Sequence, residues 1–305
     1  MAGFATSYNA ILGAANTVEQ VTSVNYDAGL NIMTGRASSS ATPGAYFVVD
    51  GKPRISLTSS DLEGTLNTFS DSISTGVAIA SDTITIPFQE RTTAGTFKSG
   101  SNHYSMTATD AGLVVTSIDA SGNGDGSNVT ISVDCLLVSS DGETNPITSN
   151  TGAALASSSF NGLWNMGAAY ANSTLIGCAT GWTVRPNLQM EYYQCDGNPY
   201  PTDTYIDTSK AIEPEIEVQF DSIVSADLFA GSFVAGTTAV VYARKRATGG
   251  LLVAKGTAAS HVSFTLATAG IHDIKTISGG DGDNSKATVV LRGPTITIST
   301  TATVP

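Results

Sequence analysis

The residues best suited to chemistry in this 305-residue chain are three histidines, three cysteines and two Gly-Asp-Gly turns. A zinc-type centre needs three or four convergent ligands, and His103, His261 and His272 have no such company in the sequence. His103 and His261 hold equivalent strand positions and are read as structural. Cys135, Cys178 and Cys195 stand at no metal-like spacing and are too few for a disulfide framework, so they are expected as reduced thiols. Gly124-Asp125-Gly126, with Asp119 and Asn123, and Gly280-Asp281-Gly282, with Asp283 and Asn284, gather oxygen donors. Calcium loops of the EF-hand kind have another spacing and a closing Glu. Tight turns with positive φ already call for Gly and Asn, so these stretches are expected to be turns. There is no Gly-x-Ser-x-Gly elbow and no glycine-rich phosphate loop before a helix. The chain is therefore expected to be no enzyme, with no catalytic, cofactor-binding or metal residue and no cofactor.

The charged stretches suggest surfaces rather than reactions. The net charge is −12, with 5 basic and 14 acidic residues in 1–157 and 9 basic and 12 acidic in 158–305. An acidic chain does not bind nucleic acid by neutralising phosphates. Arg244-Lys245-Arg246 is the single basic cluster, and an inter-subunit salt-bridge patch suits it better than a DNA contact. Glu213, Glu215 and Glu217 alternate on one strand behind Pro214, either as a solvated face or as a surface that repels polyanions. Asp196–Thr208, rich in Tyr and Pro, is too long for a tight turn and is expected to protrude toward a partner.

The elements that would position these residues occur twice. Ser101–Ile131 contains His103, Ala111-Gly112, Ser117-Ile118 and Gly124-Asp125-Gly126. Ser260–Val289 contains His261, Ala269-Gly270, Thr276-Ile277 and Gly280-Asp281-Gly282 in the same order. Upstream, Pro53-Arg54-Ile55 and Pro214-Glu215-Ile216 each open a strand that leads to a short helix. Ser60-x-x-Glu63 is a possible capping box for the first, with Leu62, Leu66 and Phe69 on one face. Asp221–Phe229 is the second. Two tandem domains follow, 1–157 and 158–305, with a linker in Thr151–Ser159. The fold class is all-β, a β-sandwich or half-barrel with one short helix per domain.

Alternation predicts the strands. They are Val18–Val24, Leu30–Met33, Tyr46–Val49 ending at an Asp50-Gly51 hairpin turn, Ile55–Thr58, Ile73–Ile79, Thr83–Phe88, His103–Thr109, Leu113–Ile118 and Asn128–Val138. The second set is Val240–Arg244, His261–Leu266, Asp273–Ile277, Ala287–Leu291 and Thr295–Thr300. Phe4, Tyr8, Ile11 and Leu12 fit either a helix or an arm that orders on a neighbour.

Charged residues make up only 13% of the chain, which suggests that much of its surface is covered by other chains. The N-terminus shows no basic-then-apolar leader and no apolar run reaches membrane length, so a cytoplasmic chain is expected.

The paired Pro53–Phe69 and Pro214–Phe229 units, and the paired Ser101–Ile131 and Ser260–Val289 segments, resemble the tail tube (major tail) proteins of long-tailed bacteriophages. That resemblance implies a structural virion protein assembled in the host cytoplasm. Duplicated chains of this kind would form trimeric, pseudo-hexameric rings, stacked around an acidic lumen through which viral DNA passes without specific binding. It implies partners in other copies of the chain and other tail proteins, and no membrane binding. A capsid decoration or head-fibre protein would share the β texture. So would a surface carbohydrate-binding module with Trp182 and Tyr192–Tyr205 as its stacking platform.

Overall fold

The computed structural model describes residues 4–6, 10–12, 16–36, 42, 44–69, 78–90, 103–122, 128–153, 162–195, 197–221, 237–247, 250–256, 260–278 and 286–305. They form antiparallel strands almost throughout, with one short helix among them. The protein is all-β.

The strands of the first half are β1 (Phe4–Thr6), β2 (Ala10–Leu12), β3 (Asn16–Val18), β4 (Val21–Asp27), β5 (Leu30–Gly35), β6 (Ala45–Gly51) and β7 (Arg54–Ser59). After helix α1 (Leu62–Thr68) come β8 (Ala78–Glu90), β9 (His103–Ser121), β10 (Thr130–Leu137) and β11 (Ile147–Ala153). β7 shows why strands form here. Ile55 and Leu57 are buried while Arg54, Ser56 and Thr58 face outward, the period-two pattern of a sheet with one covered face. β4 pairs with β7, β7 with β10, and β10 with β9. The first third of β9 lies between β8 and β11.

The second half has β12 (Trp164–Ala171), β13 (Thr174–Leu175), β14 (Ala179–Arg185), β15 (Met190–Tyr193), β16 (Asp203–Ile206) and β17 (Glu215–Phe220). Then follow β18 (Thr237–Lys245), β19 (His261–Ser278), β20 (Lys286–Arg292) and β21 (Thr295–Ala302). The same order of pairings recurs: β14 with β17, β17 with β20, β20 with β19, and β19 between β18 and β21. Details recur with it. The N–H of Leu137 donates to the Pro53 carbonyl at 3.0 Å, and the N–H of Gly293 donates to the Pro214 carbonyl at 3.2 Å. Register shifts fall between Val21 and Ser23 in β4 and between Ala179 and Gly181 in β14. β12 does for β18 what β1 and β2 together do for β8.

One further pairing joins the halves. β14 lies along the end of β9, with Trp182 opposite Ala120 and Val184 opposite Ile118. The result is a single sheet in the order β4-β7-β10-β9-β14-β17-β20-β19. Its apolar face packs on the remaining strands around Trp182, Trp164 and Phe264, with the Trp182 and Phe264 ring centroids 5.7 Å apart. α1 packs on β3 and β10 and closes the first half.

Several expectations are corrected by this arrangement. The N-terminal segment is neither helix nor free arm: Ala10 and Leu12 alternate into the core, and β1 and β2 both pair with β8. Asp50-Gly51 is not a hairpin turn. β6 runs through Gly51 and pairs with β5, whereas β7 pairs with β4 and β10. Ala111-Gly112 and Ala269-Gly270 do not separate strands, because β9 and β19 are single long strands that pass through them. The N-cap of α1 is Asp61, not Ser60; its carboxylate accepts from the N–H of Gly64 at 2.9 Å. Thr151–Ala153 is the end of β11 rather than linker. Gly124–Gly126, Gly280–Asp283, Ile73–Val77 and Ser222–Phe229 lie outside the described residues.

Candidate functional site

The polar face of the eight-strand sheet carries carboxylates that are held by partners. Asp134 is ion-paired with Arg54 and accepts from the Ser56 hydroxyl at 2.6 Å. Asp119 accepts from Ser117 at 2.7 Å and Thr183 at 2.8 Å. Arg185 reaches Glu215 at 2.8 Å and Glu217 at 3.1 Å. Burial works against the Arg185 charge, but its bonds to Glu215 and Glu217 outweigh that and raise its pKa. Arg292 reaches Glu215 at 3.2 Å and Glu213 at 3.5 Å. The alternating glutamates are thus neither a bare acidic stripe nor an ordinary solvated face. They form an ion-pair ladder between β14, β17 and β20, with Glu215 buried.

The basic triplet makes contacts inside the chain. Lys245 reaches Glu63 of α1 at 2.7 Å and stands over the Trp164 ring at 5.3 Å, tying the second half to the helix of the first. Arg244 donates to the carbonyl of Val253, and Arg246 to Asn165 and the carbonyl of Gly250.

The stretch expected to protrude instead folds back across the joint. β15 and β16 form a hairpin whose Met190 and Thr204 sit on Gly112, where a Cβ would overlap both side chains. Met190 joins Leu188, Val114 and Leu136 in a small second core. The Tyr192 hydroxyl donates to the Pro53 carbonyl, and burial pushes its pKa up. Tyr200 is buried against Gly51, whose N–H donates to the Pro199 carbonyl at 2.7 Å. Trp182 is 2% exposed and lies in the main core, so it cannot stack on a sugar.

Among the described residues, the equivalent parts of the first half have no such cover. β4 has one paired edge among the described residues, and Ser23, Asn25, Tyr26 and Asp27 are exposed. Between β4 and β7 the β5–β6 hairpin exposes Ile32, Met33, Tyr46 and Phe47, each by more than half. At the far end of the sheet, Ile277 and Ser278 of β19 pair with Ala287 and Lys286 on one edge and with no described strand on the other. Hairpin and edge packing depend on neighbours brought together by folding, so the bare sequence carried no signal for these surfaces.

His103 and His261 are buried, and His261 Nδ1 accepts from the N–H of Lys245 at 3.3 Å. The side chain of His272 lies outside the described residues. Burial pushes the Cys135 thiol far up, while Cys178 is exposed and Cys195 half-buried, all three unbridged. Among the described residues no three His, Cys, Asp or Glu side chains gather to hold a metal ion, and no helix is long and apolar enough to cross a membrane. No protein-family model matches the chain, and no curated protein matches it either.

Proposed function

We propose that this chain is a structural virion protein, the tail tube subunit of a long-tailed bacteriophage, built by duplication of one tube domain. The supporting observation is the eight-strand sheet. It carries the same four-strand order twice, β4-β7-β10-β9 and β14-β17-β20-β19, and among the described residues leaves an open edge at each end. An open strand edge is a template for another chain. Head-to-tail contacts of this kind close into rings when the rotation closes. Three copies of such a chain supply six domains.

In this reading the polar face of the sheet lines the bore. Its arginines, Arg54, Arg185 and Arg292, already carry carboxylate partners, so DNA phosphates meet neutralised guanidinium groups there. Sliding without sticking then comes from this pairing together with the net charge of −12.

Negative-stain microscopy of the purified protein tests the proposal. Rings or tubes with a central bore are expected. A protein that stays monomeric at high concentration overturns it.

A further inference from the structure

We infer that a second copy of this chain docks β4 and the β5–β6 hairpin onto β19, repeating between chains the joint that β14 and β15–β16 make with β9 inside one. This inference rests on the ring reading above and adds the joint, its register and its seat.

The internal joint supplies the pattern. β14 and β4 occupy the same place: Trp182 pairs with Val218 and Val24 with Leu57, and each strand carries a register shift at its start. Each leads into a hairpin, β15–β16 or β5–β6, and each hairpin leads to the Pro-opened strand, β17 or β7. β14 finds its second partner in β9, where Thr183 faces Asp119 and Val184 faces Ile118. By its pairing with β20, β19 places Ser278 where Asp119 stands and Ile277 where Ile118 stands. The corresponding register between chains is Asn25 opposite Ser278 and Tyr26 opposite Ile277.

The hairpin follows the strand. β15–β16 covers Gly112, the point where β9 passes from β11 to β10. Gly270 is the same point of β19 and is only half-buried. Ile32 falls at the sequence offset that relates Val24 to Trp182 and so corresponds to Met190; with its cross-strand partner Val48 it presents the face that would cover Gly270. Within the chain β4 and β19 are the outermost of the eight strands and do not pair with each other among the described residues. A second copy is the occupant that carries the matching edge.

Cysteine cross-linking tests the register. In a protein with Cys178→Ser and Cys195→Ser, Asn25→Cys is combined with Ser278→Cys and oxidised, and multimers are read on a non-reducing gel. A control combines Thr22→Cys with Ser278→Cys, three residues and roughly 10 Å out of register. At least about tenfold more covalent multimer in the first pair is expected, a preference that direct opposition of the two positions would produce. Assemblies in which both pairs cross-link equally overturn the joint and leave the tube reading standing. A protein that stays monomeric overturns both. Gly270→Leu is the second variant: the hairpin seat predicts loss of multimers with an unchanged melting temperature, and multimers that persist overturn the seat.

Discussion

The β15–β16 hairpin buries Met190, Thr204 and Tyr200, whereas β5–β6, at the same place in the other half, leaves Ile32, Met33, Tyr46 and Phe47 more than half exposed. Composition does not explain the difference, because the exposed hairpin is the more apolar of the two. Position does. β15–β16 follows a strand that has β9 beside it, and β5–β6 follows one whose second edge pairs with no described strand. Full burial of one large apolar side chain contributes roughly 1.5–3 kcal/mol. Ile32 and Tyr46 share the face of Val48, and covering that pair would contribute roughly 2–4 kcal/mol, which favours a seat elsewhere.

The widest contrast should come from the two strands that lead into the hairpins. Trp182→Ala opens a cavity in the main core and should cost about 3–5 kcal/mol in urea unfolding. Val24→Ala, at the matching position on the open edge, should cost less than about 1 kcal/mol. A large cost at both would show that β4 is already covered. Next, Gly112→Leu forces the docked hairpin off its seat. Overpacking of this kind costs about 1–3 kcal/mol, a fall in melting temperature of roughly 3–10 °C, while assembly edges stay intact.

Smaller still, Ile32→Ser combined with Tyr46→Ser should leave monomer unfolding within about 0.5 kcal/mol of the parent, since both side chains already meet water. Sedimentation should show that the same pair weakens self-association. The smallest effect concerns pH. Asp141 anchors the loop under the docked hairpin, which has no counterpart under β5–β6; the Tyr200 N–H donates to the Gly142 carbonyl there at 2.9 Å. The N–H and hydroxyl of Thr144, with Ser139 and Glu143, hold the Asp141 carboxyl well below the usual carboxylate range. Its folded pKa is depressed, so its contribution is complete above the ordinary value near about 4 and is lost as pH falls further. Asp141→Asn should flatten the acid side of the melting-temperature profile by lowering the value at neutral pH, while the two proteins converge at low pH.

Local signals in the sequence found the elements whose causes are local. The alternation of Ile55–Thr58 marked β7, and the proline pair Pro53 and Pro214 marked two strands that proved to have matching hydrogen bonds. The Asp27-Ala28-Gly29 break is real, with Gly29 at φ 53° and the Gly29 N–H bonded to the Asp27 carboxylate. Signals that depend on distant partners misled. Gly112 suggests a chain break, yet the strand continues because Met190 and Thr204 need the space a side chain would occupy. The N-terminal apolar spacing suits a helix, yet β8 offers an edge there and tertiary pairing decides. Glu213, Glu215 and Glu217 looked like bare acid because Arg185 and Arg292 are far away in sequence.

β9 and β19 each change partners along their length, β9 from β11 to β10 and β19 from β21 to β20. The two layers are therefore one covalent thread, not two slabs held by side-chain contact. Neither layer can slip or change curvature without dragging the other, which stiffens the sandwich against bending.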